Sequence, residues 1–388
     1  MTKKILIVGG GFAGFWAAMA ARRVAGQQVA VTMLSREPVL QLRPRLYEAN
    51  PEALGVDLMP LLATVGVDFV AGEAIGLNPV GKHVELATGE RLGYDRLVIA
   101  TGSVMRRPPV AGADVAFSID TQADAIAFDR RLREIARTTS QPSIAVVGAG
   151  FTGIELALEM RTRLAIHGGD EVAERAAVTL IDREPVVGFE LGEGPRSEIE
   201  AALAAARIEL LLGATVTELA ADRLVFADGT VRAADAVVLT TGMVAAPFVS
   251  QVPGDRDRLG RLVVDSWLRA PAAPDIFVTG DAAAADTGEG YLTLQSCQHA
   301  LTLGPFAGEN VARDLLGLPL LPYAQPRYVT CLDLGRFGAV YTDGWDRIVR
   351  ETGDVAKARK RRINTVVIYP PANATGEQLL ELSTVSSD

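Results

Sequence analysis

Two glycine-rich segments carry residue types and spacings that point to chemistry. KKILIVGGGFAG occupies Lys3–Gly14 and SIAVVGAGFTGIE occupies Ser143–Glu155. Each follows a β-branched apolar run and opens a helical pattern, the context in which G-x-G-x-x-G binds a dinucleotide. Gly9 and Gly148 permit a tight turn out of a strand. Gly11 and Gly150 carry no side chain, so the backbone can approach a pyrophosphate. Gly14 and Gly153 let the next helix pack closely on the strand. The helix start then offers free N–H groups and partial positive charge to phosphates. Two such segments imply two nucleotide sites in one chain, and two nucleotides suggest electron transfer between them. A third motif, DIFVTGDAA at Asp275–Ala283, closes the set.

The elements that position these residues recur as well. Lys4–Val8 reads as a buried parallel strand, Phe12–Arg23 as a helix and Val29–Leu34 as the second strand. Ser35 ends that strand, followed by Arg36 and Glu37, where a dinucleotide site ordinarily has a carboxylate for the ribose. A serine hydroxyl holds a ribose less strongly than a carboxylate does. Tyr94–Thr101 is a buried strand running into Ala100, Thr101 and Gly102.

The second unit repeats this order. Ala123–Arg137 reads as a helix, Ile144–Val147 as a strand and Thr152–Ile166 as a helix. A polar loop is expected at His167–Arg175, then the strand Val178–Ile181, ending in Asp182. Ala234–Thr240 is a buried strand ending near Gly242, so TTGM and ATGS occupy equivalent places. This is duplication of a whole domain. The chain returns to the first unit at Asp275–Gly280, and a long helix follows over about Gln295–Leu316. From Tyr323 come strands, a basic helix and a polar tail. The fold class is therefore α/β, with two Rossmann-like dinucleotide-binding domains, the second inserted in the first, and a short C-terminal region.

Composition fits that reading. With 388 residues there is length for two domains and an appendage. The net charge of −9 argues against nucleic acid as the main partner. No apolar run approaches the roughly 18 residues of a spanning helix. The N-terminus enters the first strand directly, which leaves no room for a signal peptide and makes a cytoplasmic location the expectation. Only Cys297 and Cys331 are present, so a disulfide scaffold is excluded. No metal site is expected.

This order of motifs resembles the two-dinucleotide-binding-domain flavoproteins, the pyridine nucleotide-disulfide oxidoreductase superfamily. Within it, the chain is most similar to type II NADH dehydrogenases, which are NADH:quinone oxidoreductases. The matching segments are LRPRLYEAN at Leu42–Asn50, DLMPLL at Asp57–Leu62, the helix after GDAA, and CLDLGRFGAV at Cys331–Val340. The resemblance implies FAD at the first fingerprint and NADH at the second. It implies a discontinuous FAD-binding domain at 1–113 and 254–320, an NAD(P)H-binding domain at 114–253 and a C-terminal region at 321–388. Gly280 and Asp281 would hold the FAD ribityl and pyrophosphate. Arg43 and Arg45 would lie near the flavin or its pyrophosphate, unless they form solvated salt bridges. No cysteine lies in residues 37–55, so thiol–disulfide relay through the flavin is not expected.

In the implied chemistry, NADH passes a hydride to the flavin, which then reduces a small acceptor such as a quinone. Asp182 would hold the adenosine ribose and favour NADH, while Arg183 beside it keeps NADPH open. Glu155 stands where the family places a glutamate near the nicotinamide, or else it only complements the helix dipole. Gln295 keeps one glutamine expected on the acceptor side. Cys297 and His299 replace an alanine and a second glutamine. His299 would orient or protonate the acceptor, or serve only as a hydrogen-bonding residue. Cys297 reads as a small buried packing residue.

Family members end in two amphipathic helices that seat them on a membrane. Here Lys357, Arg359, Lys360, Arg361 and Arg362 form a basic cluster with little apolar surface beside it. It reads as a weak contact to anionic lipid or as a solvated face pairing with acidic neighbours, without stable anchoring. The resemblance also implies a homodimer. Two alternatives remain open at this point: an NAD(P)H-dependent reductase of a ferredoxin-like protein or a specialised metabolite, and a redox-gated interaction module.

Overall fold

Parallel strands covered on both faces read as continuous apolar runs, and the two fingerprint strands do so. The computed structural model describes residues 2–220, 222–371 and 373–385. Its first sheet runs in the order Arg269–Ala270, Ala273–Val278, Arg96–Ile99, Lys3–Val8, Val29–Ser35, Asp68–Ala71. All pairs are parallel except the edge hairpin Arg269–Ala270 with Ala273–Val278. The second sheet runs Phe117–Ser118, Ala236–Leu239, Ser143–Val147, Ala177–Ile181, Glu209–Leu211, all parallel. In each sheet the fingerprint strand has the strand leading into the T-G motif on one side and the ribose-end strand on the other. Segments on both sides of the second sheet in sequence contribute to the first, so the first unit is discontinuous in the chain. The strands Ser103–Met105 and Met243–Ala245 pair antiparallel and link the two units.

The fingerprint helices fall within a residue or two of their expected places, at Phe12–Ala25 and Phe151–Gly168. The first is nearly enclosed, with Phe15, Trp16 and Met19 all buried. Its cover is the helix Cys297–Leu316, which comes unusually close because of two glycines one turn apart. A Cβ on Gly304 would stand 2.5 Å from the Ala13 carbonyl oxygen, and one on Gly308 2.1 Å from that of Ala17.

Two expectations change. His167–Arg175 is not a loop: Gly169, at φ 81°, turns the chain, and Asp170–Arg175 forms a short helix. Asp170 and Glu171 fill its first turn, where the helix dipole favours negative charge. The tail is also more ordered than its composition implies. After the antiparallel strands Val329–Asp333, Ala339–Asp343 and Ile348–Thr352 come the helix Gly353–Arg362 and a π-helical turn at Ile363–Val367. A last helix, Gly376–Leu382, buries Leu379 and starts with a capping box between Thr375 and Gln378.

Replacing Gly308 by valine should cost about 2–3 kcal/mol, the range expected for forcing atoms into a closed core. Urea denaturation of the variant should show the loss as a lower midpoint with an unchanged slope.

Candidate active site

Both fingerprint helices open on one continuous cleft of about 2440 Å³. That is well above the roughly 300–1,000 Å³ of a single small-ligand pocket and leaves room for more than one dinucleotide. The two turns are near copies. Gly9 and Gly148 have φ of 116° and 115°, and Gly11 and Gly150 have φ, ψ of −80°, −169° and −81°, −168°. A Cβ on Gly9 would meet the Ala100 carbonyl oxygen at 2.2 Å, and one on Gly148 that of Thr240 at 2.4 Å. Gly14 and Gly153 do not line the cleft. Their Cβ atoms would strike the carbonyl oxygens of Gly9 and Gly148 at 1.9 and 1.8 Å, so they set the strand–helix packing. Gly11 and Gly150 differ from these: an added Cβ meets nothing within 4 Å and would project into cleft space. Neither helix has a side-chain N-cap. The residues therefore fit two pyrophosphates, with open space and free N–H groups at both turns.

The remaining cofactor-side candidates line the same cleft. Ser35, Arg36, Arg43, Ala100, Thr101 and Gly102 lie around the first turn, with Gly280 and Asp281 opposite. Asp281 accepts a 2.6 Å hydrogen bond from the Ser103 hydroxyl, and the Gln295 amide donates to the Asp281 carbonyl at 3.2 Å. Arg43 is both a cleft residue and a link between units: it pairs with Asp120 and donates to the Ser103 carbonyl at 3.1 Å. Arg45 lies apart, paired with Glu48. Gly242 and Asp182 line the second half. The Asp182 carboxylate accepts from the N–H groups of Ala149 and Glu184, which fixes it beside the second turn.

Between the halves lies a buried ion pair. Glu155 is 3 % exposed, and its Oε1 accepts from Lys360 Nζ at 2.8 Å and from the Asp333 N–H at 2.9 Å. Burial pushes the Glu155 carboxyl up to about 7 even though Lys360 and the Asp333 N–H draw it down. Burial draws the Lys360 ammonium down, but Glu155 more than offsets this and holds it above its ordinary value. The ammonium also lies 5.6 Å from the Tyr47 ring and 5.4 Å from the Phe151 ring. Asp333 is itself gripped by Lys357 and by the Tyr47 hydroxyl at 3.1 Å.

The basic segment pairs with acidic neighbours as expected, but it departs from the expected solvated face in burying Lys360. Lys360 and Lys357 point inward to Glu155 and Asp333, and Arg359 pairs with Glu351. Only Arg361 and Arg362 of the cluster make no ion pair among the described residues. The convergence of Lys360, Lys357, Asp333 and Tyr47 around Glu155 escaped the sequence reading. The one available signal was the i, i+3 spacing of Lys357 and Lys360, with the small residue Ala356 one turn before Lys360, which puts these residues on one helix face.

The acceptor-side residues separate. Gln295 and Cys297 line the cleft, but His299 does not. It is 1 % exposed, and Ser296 holds its Nδ1 at 3.0 Å. The ring stacks on Tyr328 at 5.6 Å. Burial pulls its pKa down to about 4, which removes it as a proton donor at neutral pH. Cys297 is half-buried in the cleft wall, not a sealed packing residue, and burial pushes its thiol up to about 11. Among the described residues no group of three or more His, Cys, Asp or Glu is placed to hold a metal ion. No helix among them is long and apolar enough to cross a membrane.

The family model described as "Pyridine nucleotide-disulphide oxidoreductase" matches residues 3–304. The chain belongs to this family. It is 40 % identical over 389 residues to a NADH dehydrogenase-like protein of Mycobacterium tuberculosis, covering 97 % of each chain. A demethylphylloquinone reductase of Synechocystis is 26 % identical, with 87 % of this chain and 86 % of that protein covered. Among solved structures, NDH2 of Plasmodium falciparum in complex with NADH has the same fold, with a TM-score of 0.79 at 13 % identity over 99 % of this chain and 97 % of that one. The chain is an oxidoreductase of this fold.

Gly11→Val should abolish FAD retention, because the side chain fills the pyrophosphate's approach. The purified variant should be colourless. A yellow protein with full flavin would overturn the assignment of the first turn.

Proposed function

We propose that the protein oxidises NADH and passes the electrons, through FAD held at the first turn, to a quinone or similar small acceptor. The observation that carries this reading is the joint opening of both uncapped fingerprint helices on a single cleft whose third wall holds Glu155. The names of the relatives, a NADH dehydrogenase-like protein and a quinone reductase, support it.

FAD, when bound, supplies the two-electron carrier chemistry. The protein's own residues do the rest. The N–H groups at Gly11 and Gly150 bind phosphate. Asp182 orients the adenosine ribose of NADH and repels a 2′-phosphate. Ile363, Val367 and Ile368 give the C-terminal wall of the cleft an apolar surface against which a ring acceptor can exclude water. Glu155 Oε1 is committed to Lys360 and Asp333, which leaves Oε2 to hold a proton toward the cleft. A carboxyl that burial pushes up to about 7 can hold a proton nearer neutral pH than a free glutamate does, the condition that suits proton delivery. Arg361 and Arg362, without an ion pair among the described residues, are the basic groups available to an anionic lipid surface.

Anaerobic stopped-flow on the flavin-replete protein tests the whole reading. NADH should bleach the flavin band quickly, and a short-chain quinone should restore it. Bleaching without recovery would reject the quinone, and no bleaching would reject the second turn as a working NADH site. Proton delivery from Glu155 requires its neutral form, so the quinone half-reaction should slow as pH rises through about 7. Glu155→Gln should remove that inflection, and a profile identical to the parent would exclude the role. Asp182→Ser should weaken NADH more than NADPH, measured as the ratio of dissociation constants.

A further inference from the structure

Two lysines on one face of the helix Gly353–Arg362 each hold a carboxylate, and the two carboxylate residues are joined to one another. Lys360 Nζ lies 2.8 Å from Glu155 Oε1, and Lys357 pairs with Asp333. The Asp333 N–H donates to the same Glu155 oxygen at 2.9 Å. The Asp333 carboxylate accepts in turn from the Gly335 N–H at 2.8 Å and from the Tyr47 hydroxyl at 3.1 Å. Asp333 is 7 % exposed and Lys360 5 %, so the charges of the quartet are screened little by water and salt.

Asp333 acts on Glu155 in two opposed senses. Its N–H favours the ionised carboxylate, as a hydrogen bond to the charged form does. Its own carboxylate, a like charge close by, favours the neutral acid. Lys357 stands against that carboxylate and weakens its repulsion. Joining the helix to the strand needs no charge here, since an apolar contact of similar volume is often as stable or more so.

Most other groups facing Glu155 carry no charge near neutral pH. Burial holds the Tyr47 hydroxyl well above its ordinary value and raises the Cys331 and Cys297 thiols to about 11. Glu48 is taken up by Arg45 and by the Asn364 amide. Glu159, one turn further along the Glu155 helix, is raised by burial to about 7 and titrates in the same range.

We propose that the Asp333–Lys357 pair is a positioning unit for Glu155. The Asp333 N–H fixes one carboxyl oxygen, and the charge balance of the pair sets the pH at which Glu155 takes up and releases its proton. This rests on the reading of Glu155 as the carboxyl that delivers a proton to the acceptor.

The test is a carbon-13 NMR titration of the FAD-replete, full-length protein labelled at the glutamate side-chain carboxyl. Every sample carries Glu159→Gln, which removes the second carboxyl of the same range, and the Glu155 signal is the one that Glu155→Gln deletes. Asp333→Asn keeps the N–H and removes the negative charge, so the Glu155 inflection should fall by about one unit. Lys357→Met leaves the Asp333 charge without its cation, so the inflection should rise. Lys357→Arg, which keeps the positive charge, should return it to the parent value. Loss of packing would move both charge-removing variants the same way, whereas the pair moves them apart. An inflection unmoved by either substitution, or moved in one direction by both, overturns the proposal. So does Lys357→Arg behaving as Lys357→Met, and these two variants decide alone where Asp333→Asn does not fold. The pH profile of the quinone half-reaction then separates the proposal from the reading beneath it. A profile that ignores the displaced NMR inflections would reject proton delivery by Glu155 and leave the role of the pair intact.

Discussion

A backbone can reach a pyrophosphate only where no side chain stands between them. That constraint is met twice here, and the architecture follows from it. At each turn one glycine lets the strand end fold back, a second leaves the approach open, and a third brings the helix onto the strand. The two helix starts left open are also left uncapped, although Thr121, Ser296 and Thr375 cap other helices of the chain. A missing cap costs about 1 kcal/mol. Both fingerprint helices carry that cost where a phosphate can offset it, and both are stabilised instead by burial against their own sheets and, for the first, by the glycine-mediated approach of Cys297–Leu316.

The Glu155–Lys360 pair makes the C-terminal region part of the site. Glu155 belongs to the second fingerprint helix and Lys360 to the C-terminal helix, while the N–H that shares Oε1 comes from a C-terminal strand. Taking both charges out of water is expensive, and removing either partner alone would leave the other unpaired at a cost of about 3–5 kcal/mol. An apolar pair of similar volume would have been the cheaper solution for stability alone. A carboxyl that burial pushes up toward neutrality is what the proposed proton delivery would use.

The fold was legible because its signals are local. A glycine spacing after an apolar run needs no knowledge of distant residues, and the duplication made each copy a check on the other. The places of Asp182 and Glu155 on the cleft were legible for the same reason, since each sits at a fixed offset from its glycines. Lys360 was not. Its role depends on a contact across about two hundred residues of sequence, and five basic residues in six positions look like a solvated face until one asks which of them share a side with Ala356. His299 shows the converse. Its residue type suggested proton chemistry, but capping by Ser296 and stacking on Tyr328 turn the ring away from the cleft, and burial keeps it neutral. Side-chain direction around a helix start is set by tertiary packing, which one sequence does not display.

The two copies have the same cradle and differ at its ends, and the difference separates their tasks. In the second, a carboxylate pinned by two backbone N–H groups stands beside the turn, where on the proposed reading it would meet a ribose and repel a 2′-phosphate. In the first, Ser35 takes that place, packed so closely against Gly10 that an added Cβ there would come within 2.9 Å of its hydroxyl. Beyond the turn's own N–H groups, a dinucleotide at the first site would be held at the other end, where Asp281 is tied to Ser103 and Arg43 to Asp120. Those ties run through the antiparallel ribbon that joins the units. On the proposed reading, retention at the first site and the relative placement of the second unit would rest on the same bonds. A cofactor that stays and a nucleotide that exchanges would make these different demands of otherwise equal cradles.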